Sequence, residues 1–296
     1  PKNYLNNAKV CRFSKSWCRY KGDNIINMVN FLQSIFTKTD RKDVVVSFTT
    51  IPSRLAVLEP CIKSLINQTV TPGTIVLWLC EDEYFGKNAI SKDSIPECVR
   101  EYEKKGLLTV KWTKNIGPFT KLIPALSEFP DKKIVTADDD TIYPRNWLKD
   151  LISVSDKNPG VIVCHRGAKM LLSGDGSSLD GYNSWPEFIS IMACMNLFPT
   201  GKDGVLYPPK SFSNEVFNEH IFKKLTPLND DIWFKAMSLI NGVSCIKVKP
   251  VHRDYKIIKG STLVELQNHN VVQNKNDVYL LNVFDKYNLY KLLQND

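Results

Sequence analysis

The chain has 296 residues, of which 43% are hydrophobic and 24% charged, and a formal net charge of +8. That balance is ordinary for a soluble globular protein and excludes disordered, collagen-like and coiled-coil chains; at ~150 residues per domain the length suits one large domain or two small ones. No apolar run approaches the ~18 residues of a membrane-spanning helix, and the polar, basic start Pro1–Val10 does not read as a secretory signal. Eight cysteines stand at 11, 18, 61, 80, 98, 164, 194 and 245, none in a C-x-x-C pair and several inside apolar runs. They read as core thiols in a reducing compartment, without structural zinc or disulfides.

The charge is unevenly placed. Residues 1–42 hold nine Lys/Arg against two Asp, so +7 of the +8 lies there. The body is nearly neutral, which disfavours nucleic acid as a partner and suits a basic segment on an anionic membrane surface. Residues 1–22 mix the basic residues with Phe13, Trp17 and Tyr20; the stripe Ile25, Ile26, Met28, Val29, Phe31, Leu32, Ile35, Phe36 then repeats at helical period. It is either a helix packed on the body or, with the segment before it, an interfacial anchor formed by residues 1–36.

From residue 43 the pattern changes. The spacing predicts strands over 43–48, 75–79, 107–112, 133–137 and 243–248. It predicts helices over 55–66, 96–105, 119–129 and 231–240, with a closing helix over 276–293. Strands alternating with helices mean βαβ units and a mostly parallel central sheet flanked by helices, an α/β fold. The expected organisation is a basic extension over 1–42 and one domain over 43–296, divided into halves at 145/146 and closed by 276–296. Ligands of such sheets bind at the carboxyl ends of strands. The chemically loaded stretches Thr49–Arg54, Glu81–Glu83, Asn115–Lys121 and Asp138–Asp140 all fall there.

Asp138, Asp139 and Asp140 directly follow a buried strand. Like charges this close need a partner to stay ionised, and a hard divalent cation, Mn²⁺ or Mg²⁺, is the usual one. Asp230 and Asp231 open a helix. They cap it, or one of them serves as a general base. His252 follows the last strand, as a structural residue or as a metal ligand. Lys121 is either a solvated lysine or a positive charge for a diphosphate.

The run Thr49-Thr-Ile-Pro-Ser-Arg54, then Ser64-Leu-Ile-Asn-Gln-Thr69, Ile75-Val-Leu-Trp-Leu79 and Ala137-Asp-Asp-Asp-Thr-Ile-Tyr-Pro144 resembles a family-2-like GT-A glycosyltransferase of the bacterial polysaccharide and lipopolysaccharide type. Gly204-Val-Leu-Tyr-Pro-Pro209 and Asp230-Asp-Ile-Trp-Phe-Lys-Ala-Met237 add to the likeness, which covers about residues 43–255. The resemblance implies a GT-A, Rossmann-like fold and transfer of a sugar, with inversion, from a nucleotide sugar such as a UDP-sugar to a hydroxyl of a glycan or lipid-linked acceptor. It implies Thr49, Ile51, Arg54, Asp82, Asp138 and Asp139 near the nucleotide sugar, with Lys121 at the diphosphate. Asp140 and His252 would hold the metal. Asp231 would be the general base, or Asp230, since the pair is Asp-Asp where Glu-Asp is commoner. The expected location is cytoplasmic, peripheral on the inner face of the cytoplasmic membrane. The competing readings are a sugar-nucleotide nucleotidyltransferase, which would need a Gly-rich first loop absent from 49–54, and a noncatalytic glycan- or membrane-binding module.

Overall fold

In the computed structural model, which describes residues 39–83, 89–261 and 275–294, the β-branched run at 44–46 is the centre of β1 (Thr39–Thr49). The basic segment and apolar stripe of residues 1–36 lie outside the described residues. The strand begins four residues before the expected boundary at 43. The further strands, in chain order, are β2 (Val70–Leu79), β3 (Thr109–Trp112), β4 (Lys133–Thr136), β5 (Thr141–Ile142), β6 (Ile162–Cys164), β7 (Gly167–Lys169), β8 (Leu197–Pro199), β9 (Val205–Tyr207), β10 (Cys245–Lys247) and β11 (Lys256–Ile257).

Seven strands form one sheet in the order β10-β6-β9-β4-β1-β2-β3. β1 and β4 are parallel, with Val44 opposite Lys133 and Val46 opposite Val135. β2 and β3 are parallel, as are β6 and β10. β9 runs against its neighbours β4 and β6. One continuous sheet therefore passes through both expected halves, because β9 from the second half lies beside β4 from the first.

Period-two alternation sends the strands' side chains to two cores. Val44, Val46, Phe48, Leu77 and Leu79 enter one; Val45, Trp78, Ile134 and Val205 enter the other. Both faces are covered, which is why the strands read as unbroken apolar runs. Helices α1 (Glu59–Ile66) and α2 (Glu97–Lys104) cover the first face; α3 (Ile123–Glu128) lies on the second; α4 (Trp147–Lys157) returns to the first. α5 (Glu219–Leu225), α6 (Asp230–Ile240) and α7 (Lys275–Tyr287) complete the second. None of the six described cysteines is in a disulfide; Cys61 lies in the first core, Cys164 and Cys245 in the second. No helix among the described residues is long and apolar enough to cross a membrane.

Three expected helices are broken; the one over 55–66 opens within a 3₁₀ turn at Pro52–Val57 and is α-helical only from Glu59. The one over 119–129 is a 3₁₀ turn at Gly117–Lys121 followed by α3. Pro124 has no N–H for the carbonyl four residues back, so a continuous helix cannot pass it. The closing helix stops at Asn288, whose φ of 51° reverses the chain before a 3₁₀ turn at Leu289–Leu292.

The turn into β9 is fixed by close packing. Gly204 has a φ of +101°, and a Cβ there would lie 2.6 Å from Nε1 of Trp147. That indole N–H donates to the Asp203 carbonyl at 2.7 Å. Gly204→Ala should therefore destabilise the fold by about 1–3 kcal/mol through backbone strain and overpacking, read as a lower urea midpoint with unchanged slope.

Candidate active site

Because β9 is antiparallel, its amino end lies at the same sheet edge as the carboxyl ends of β1, β2, β4, β6 and β10. That edge gathers residues from both halves of the chain. After β1, a 3₁₀ turn over Pro52–Val57 presents Arg54, and the Ile51 carbonyl accepts the Arg54 N–H at 2.9 Å. One Arg54 nitrogen lies 2.5 Å from Asp139 Oδ1 and 3.2 Å from Asp140 Oδ2, and Arg54 Nε donates to the Ser261 carbonyl at 3.0 Å. Thr50 Oγ1 donates to Asp139 Oδ2 at 2.5 Å. Both Asp139 oxygens are thus taken from inside, and Asp139, expected beside the nucleotide, is an internal anchor. The Thr49 hydroxyl likewise serves the sheet, donating to the Trp78 carbonyl at 2.9 Å. Burial works against the Arg54 cation, but Asp139 and Asp140 outweigh it and hold it charged.

Lys121 joins the two acidic stretches. Its Nζ lies 3.3 Å from Asp138 Oδ1 and 3.3 Å from Asp230 Oδ2. Burial disfavours this ammonium too, and Asp138, Asp230 and Asp231 together reverse the effect. The helix behind Asp230 does not need it as a cap: Asn229 Oδ1 accepts the Ile232 N–H at 3.1 Å, and Asn229 Nδ2 donates to Asn276 at 2.7 Å. Capping therefore accounts for neither aspartate of the first turn. Asp231 Oδ2 accepts the Gly201 N–H at 2.8 Å. A Cβ on Gly201 would lie 2.6 Å from Asp231 Oδ1 and 3.0 Å from Lys121 Nζ, so a side chain there would displace the carboxylate and the ammonium. Burial and the neighbouring Asp230 push the Asp231 carboxyl up to about 7, against Lys121 and the Gly201 N–H.

Asp82, after β2, accepts the Asn115 N–H at 2.9 and 3.0 Å on its two oxygens. It ties the β2 and β3 loops together and stays exposed. His252 Nε2 lies 2.8 Å from Asp203 Oδ2.

The residues fit a divalent cation on two counts. Burial and the adjacent Asp138 push the Asp140 carboxyl up to about 6, with Arg54 opposing, so hard oxygen donors are crowded together with too little positive charge. Separately, ligand atoms of Asp203, His252 and Asp254 lie within 4.8 Å of one another, and the second Asp203 oxygen is buried without a partner. Asp140 does not belong to that second group, the only one with metal-ligand spacing found among the described residues. His252 is therefore gathered with Asp203 and Asp254, while Asp140 stands with Arg54. Arg166 at 2.7 Å and Lys202 at 3.2 Å already offset Asp254.

Thr50, Gly201, Asp203 and Asp254 escaped the sequence reading. The signal for two of them was there: Gly201-Lys-Asp-Gly204 places two glycines around an aspartate just ahead of a strand. Asp203 also takes a left-handed φ of 70°, unusual for a residue with a side chain.

Lys121→Met removes the cation between buried Asp230 and Asp138 while keeping the side-chain volume. It should cost about 3–5 kcal/mol, as uncompensated buried charges do. Adding Asp230→Asn should recover part of that loss in a denaturation double-mutant cycle.

The sequence model of Glycosyl transferase family 2 matches residues 45–198, more than half of the chain. No curated protein sequence matches it. Among solved structures it is similar to S. aureus TarS 1–349 in complex with UDP, with 16% identity and a TM-score of 0.46 over 72% of this chain and 59% of that one. TarS 1–349 without UDP gives 14% and 0.44, over 85% and 72%. A 4-diphosphocytidyl-2C-methyl-D-erythritol synthase gives 12% and 0.41, over 80% and 98%. The chain thus spans 59% of the length of the first of these. The family match runs from β1 through the aspartate triplet to β8, and by it this chain belongs to glycosyltransferase family 2.

Proposed function

We propose that the chain is a divalent-cation-dependent, inverting glycosyltransferase. It moves a sugar from a nucleotide sugar, most simply a UDP-sugar, to a hydroxyl of a glycan or lipid-linked acceptor in bacterial surface polysaccharide synthesis. The observation that carries the reading is the pairing of two carboxylate sets across Lys121, with Asp138 on one side and Asp230 on the other, each at 3.3 Å. Family membership supplies the reaction class.

The roles follow from chemistry at this edge. Arg54 and Lys121 provide positive charge for the donor diphosphate. Asp138, beside Lys121, meets the donor sugar nucleotide, and Ile51 and exposed Asp82 flank the nucleoside. His252 is a proposed cation ligand within its own group with Asp203 and Asp254, and Asp140 is proposed to hold the cation at the aspartate triplet. Bound there, a divalent cation stabilises the departing diphosphate as a Lewis acid. Asp231 accepts the proton of the acceptor hydroxyl. One of its oxygens is fixed by the Gly201 N–H, which leaves the other for that proton. A carboxyl pushed up to about 7 is a stronger base than an ordinary aspartate and is matched to neutral pH. Direct displacement by the activated oxygen inverts the anomeric carbon.

A thermal-shift panel of nucleoside diphosphates with and without Mn²⁺ tests the donor class. A diphosphate at ~100 times its Kd stabilises by ~2.7 kcal/mol, and absence of any shift removes the reading. Asp140→Ala should abolish the Mn²⁺-dependent part of the shift for UDP and leave the unliganded melting temperature close to that of the parent.

Asp231→Asn should keep donor binding and lower kcat by ~10²–10⁴-fold. In the parent, kcat/KM should fall as pH drops through about 7, because the base must be ionised and its carboxyl is raised to that value. A flat acid limb, or the same loss from Asp230→Asn alone, moves the base away from Asp231.

A further inference from the structure

The four most exposed large apolar side chains among the described residues stand on two stretches that Lys247 ties together. Ile189 is 70% exposed, Ile191 56%, Met192 75% and Val251 66%. The segment that carries the first three is bolted down at both ends. The Phe188 N–H donates to the Gly167 carbonyl at 3.0 Å, and Cys194 exchanges backbone hydrogen bonds with Cys245 at 2.9 and 3.0 Å. Beneath it, the fully buried Lys247 donates to Glu187 Oε1 at 2.9 Å, to the Phe188 carbonyl at 2.7 Å and to the Pro250 carbonyl at 3.0 Å. One buried ammonium therefore fastens the base of the loop to the stretch that displays Val251.

Apolar side chains presented together on a fixed support mark an interaction surface, whereas isolated ones need no explanation. Charge selects the occupant. The acidic groups around these stretches are already paired: Glu187 with Lys247, Asp254 with Arg166 and Lys202, Asp150 with Lys249. Lys169 and Arg253 are exposed beside the loop's anchors and have no ion pair among those seen in the described residues. Excess positive charge around an apolar tip is complementary to the headgroups and acyl boundary of an anionic bilayer.

We propose that Ile189, Ile191, Met192 and Val251, with Lys169 and Arg253, dock this protein on an anionic lipid bilayer. A cavity of about 380 Å³ lined by Arg166, Tyr182, Trp185, Glu187 and His252 shares Glu187 and the loop's base with this surface. Docking brings that cavity to the membrane face, where a lipid-linked acceptor presents its hydroxyl. The docking stands on the patch itself; its use for the acceptor rests on the glycosyltransferase reading.

The test is co-sedimentation of the full chain with phosphatidylcholine vesicles, with and without phosphatidylglycerol. The parent should pellet with the anionic vesicles. Ile189→Ser, Ile191→Ser and Met192→Ser combined should lower its partition coefficient by ~10-fold or more, since each exposed apolar side chain contributes to interfacial burial. Lys169→Gln with Arg253→Gln should weaken the dependence on phosphatidylglycerol. The UDP and Mn²⁺ thermal shift of the triple variant should match the parent, which keeps a failure of docking distinct from a failure of the active-site reading. Docking through this surface is overturned if the parent stays in the supernatant, or if the triple variant pellets like the parent. It is also overturned if light scattering shows a parent dimer that the triple variant dissolves, which makes the surface a contact between copies.

Discussion

Five carboxylates, Asp138, Asp139, Asp140, Asp230 and Asp231, gather at one edge of the sheet, and Arg54 and Lys121 stand among them as cations. Buried like charges are tolerated only when compensated, and much of the local architecture follows from that. Arg54 is held at the end of β1 by its own 3₁₀ turn and by the Ser261 carbonyl. Lys121 is held on a short turn closed by Pro124, and its carbonyl accepts the Ser47 hydroxyl at 2.6 Å. Ser47 in turn accepts the Trp78 indole N–H at 2.9 Å. The lysine is thereby locked to the centre of the sheet, and the two acidic stretches are positioned by reference to it.

Much of the fold was legible because period and burial coincide. Val44–Val46, Ile75–Leu79 and Ile134–Val135 lie in strands covered on both faces, so their apolar runs could only be buried strands. The antiparallel β9 was not legible as a strand. It is three residues long, sits between a glycine turn and two prolines, and owes its place to pairing with β4 and β6. Helix α4 was missed although Trp147, Leu148, Leu151 and Ile152 repeat at helical spacing; its start is masked by the turn chemistry of Pro144 and Asn146.

The candidate site divides along the same line. The aspartate triplet announced itself, since three like charges after an apolar strand demand a partner. Which of the three faces inward is a tertiary fact: Asp139 is the anchor because Thr50 and Arg54 reach it from another loop. The Asp230–Asp231 pair was ambiguous between capping and chemistry. Asn229 takes the cap, so capping does not account for the pair, and the Gly201 N–H reaches Asp231 from another loop. His252 shows the limit of reading one residue at a time. Its ring is bonded to Asp203, a partner 49 positions away whose left-handed backbone no local pattern announces.

The distribution of thiols gives this fold a pair of internal clocks. Cys61 sits under the aspartate triplet, its thiol donating to the Asp138 carbonyl at 3.3 Å, in the core of one face. Cys164 and Cys245 lie in the core of the other, on paired strands β6 and β10. Burial pushes the Cys61 and Cys164 thiols well up, so alkylation is slow until a face opens and the thiolate can form. Local openings of protein interiors differ in free energy from one region to the next. Alkylation of Cys61 therefore times the breathing of the layer beneath the aspartate triplet. Alkylation of Cys164 and Cys245 times that of the far edge, and one chain reports both without an added label.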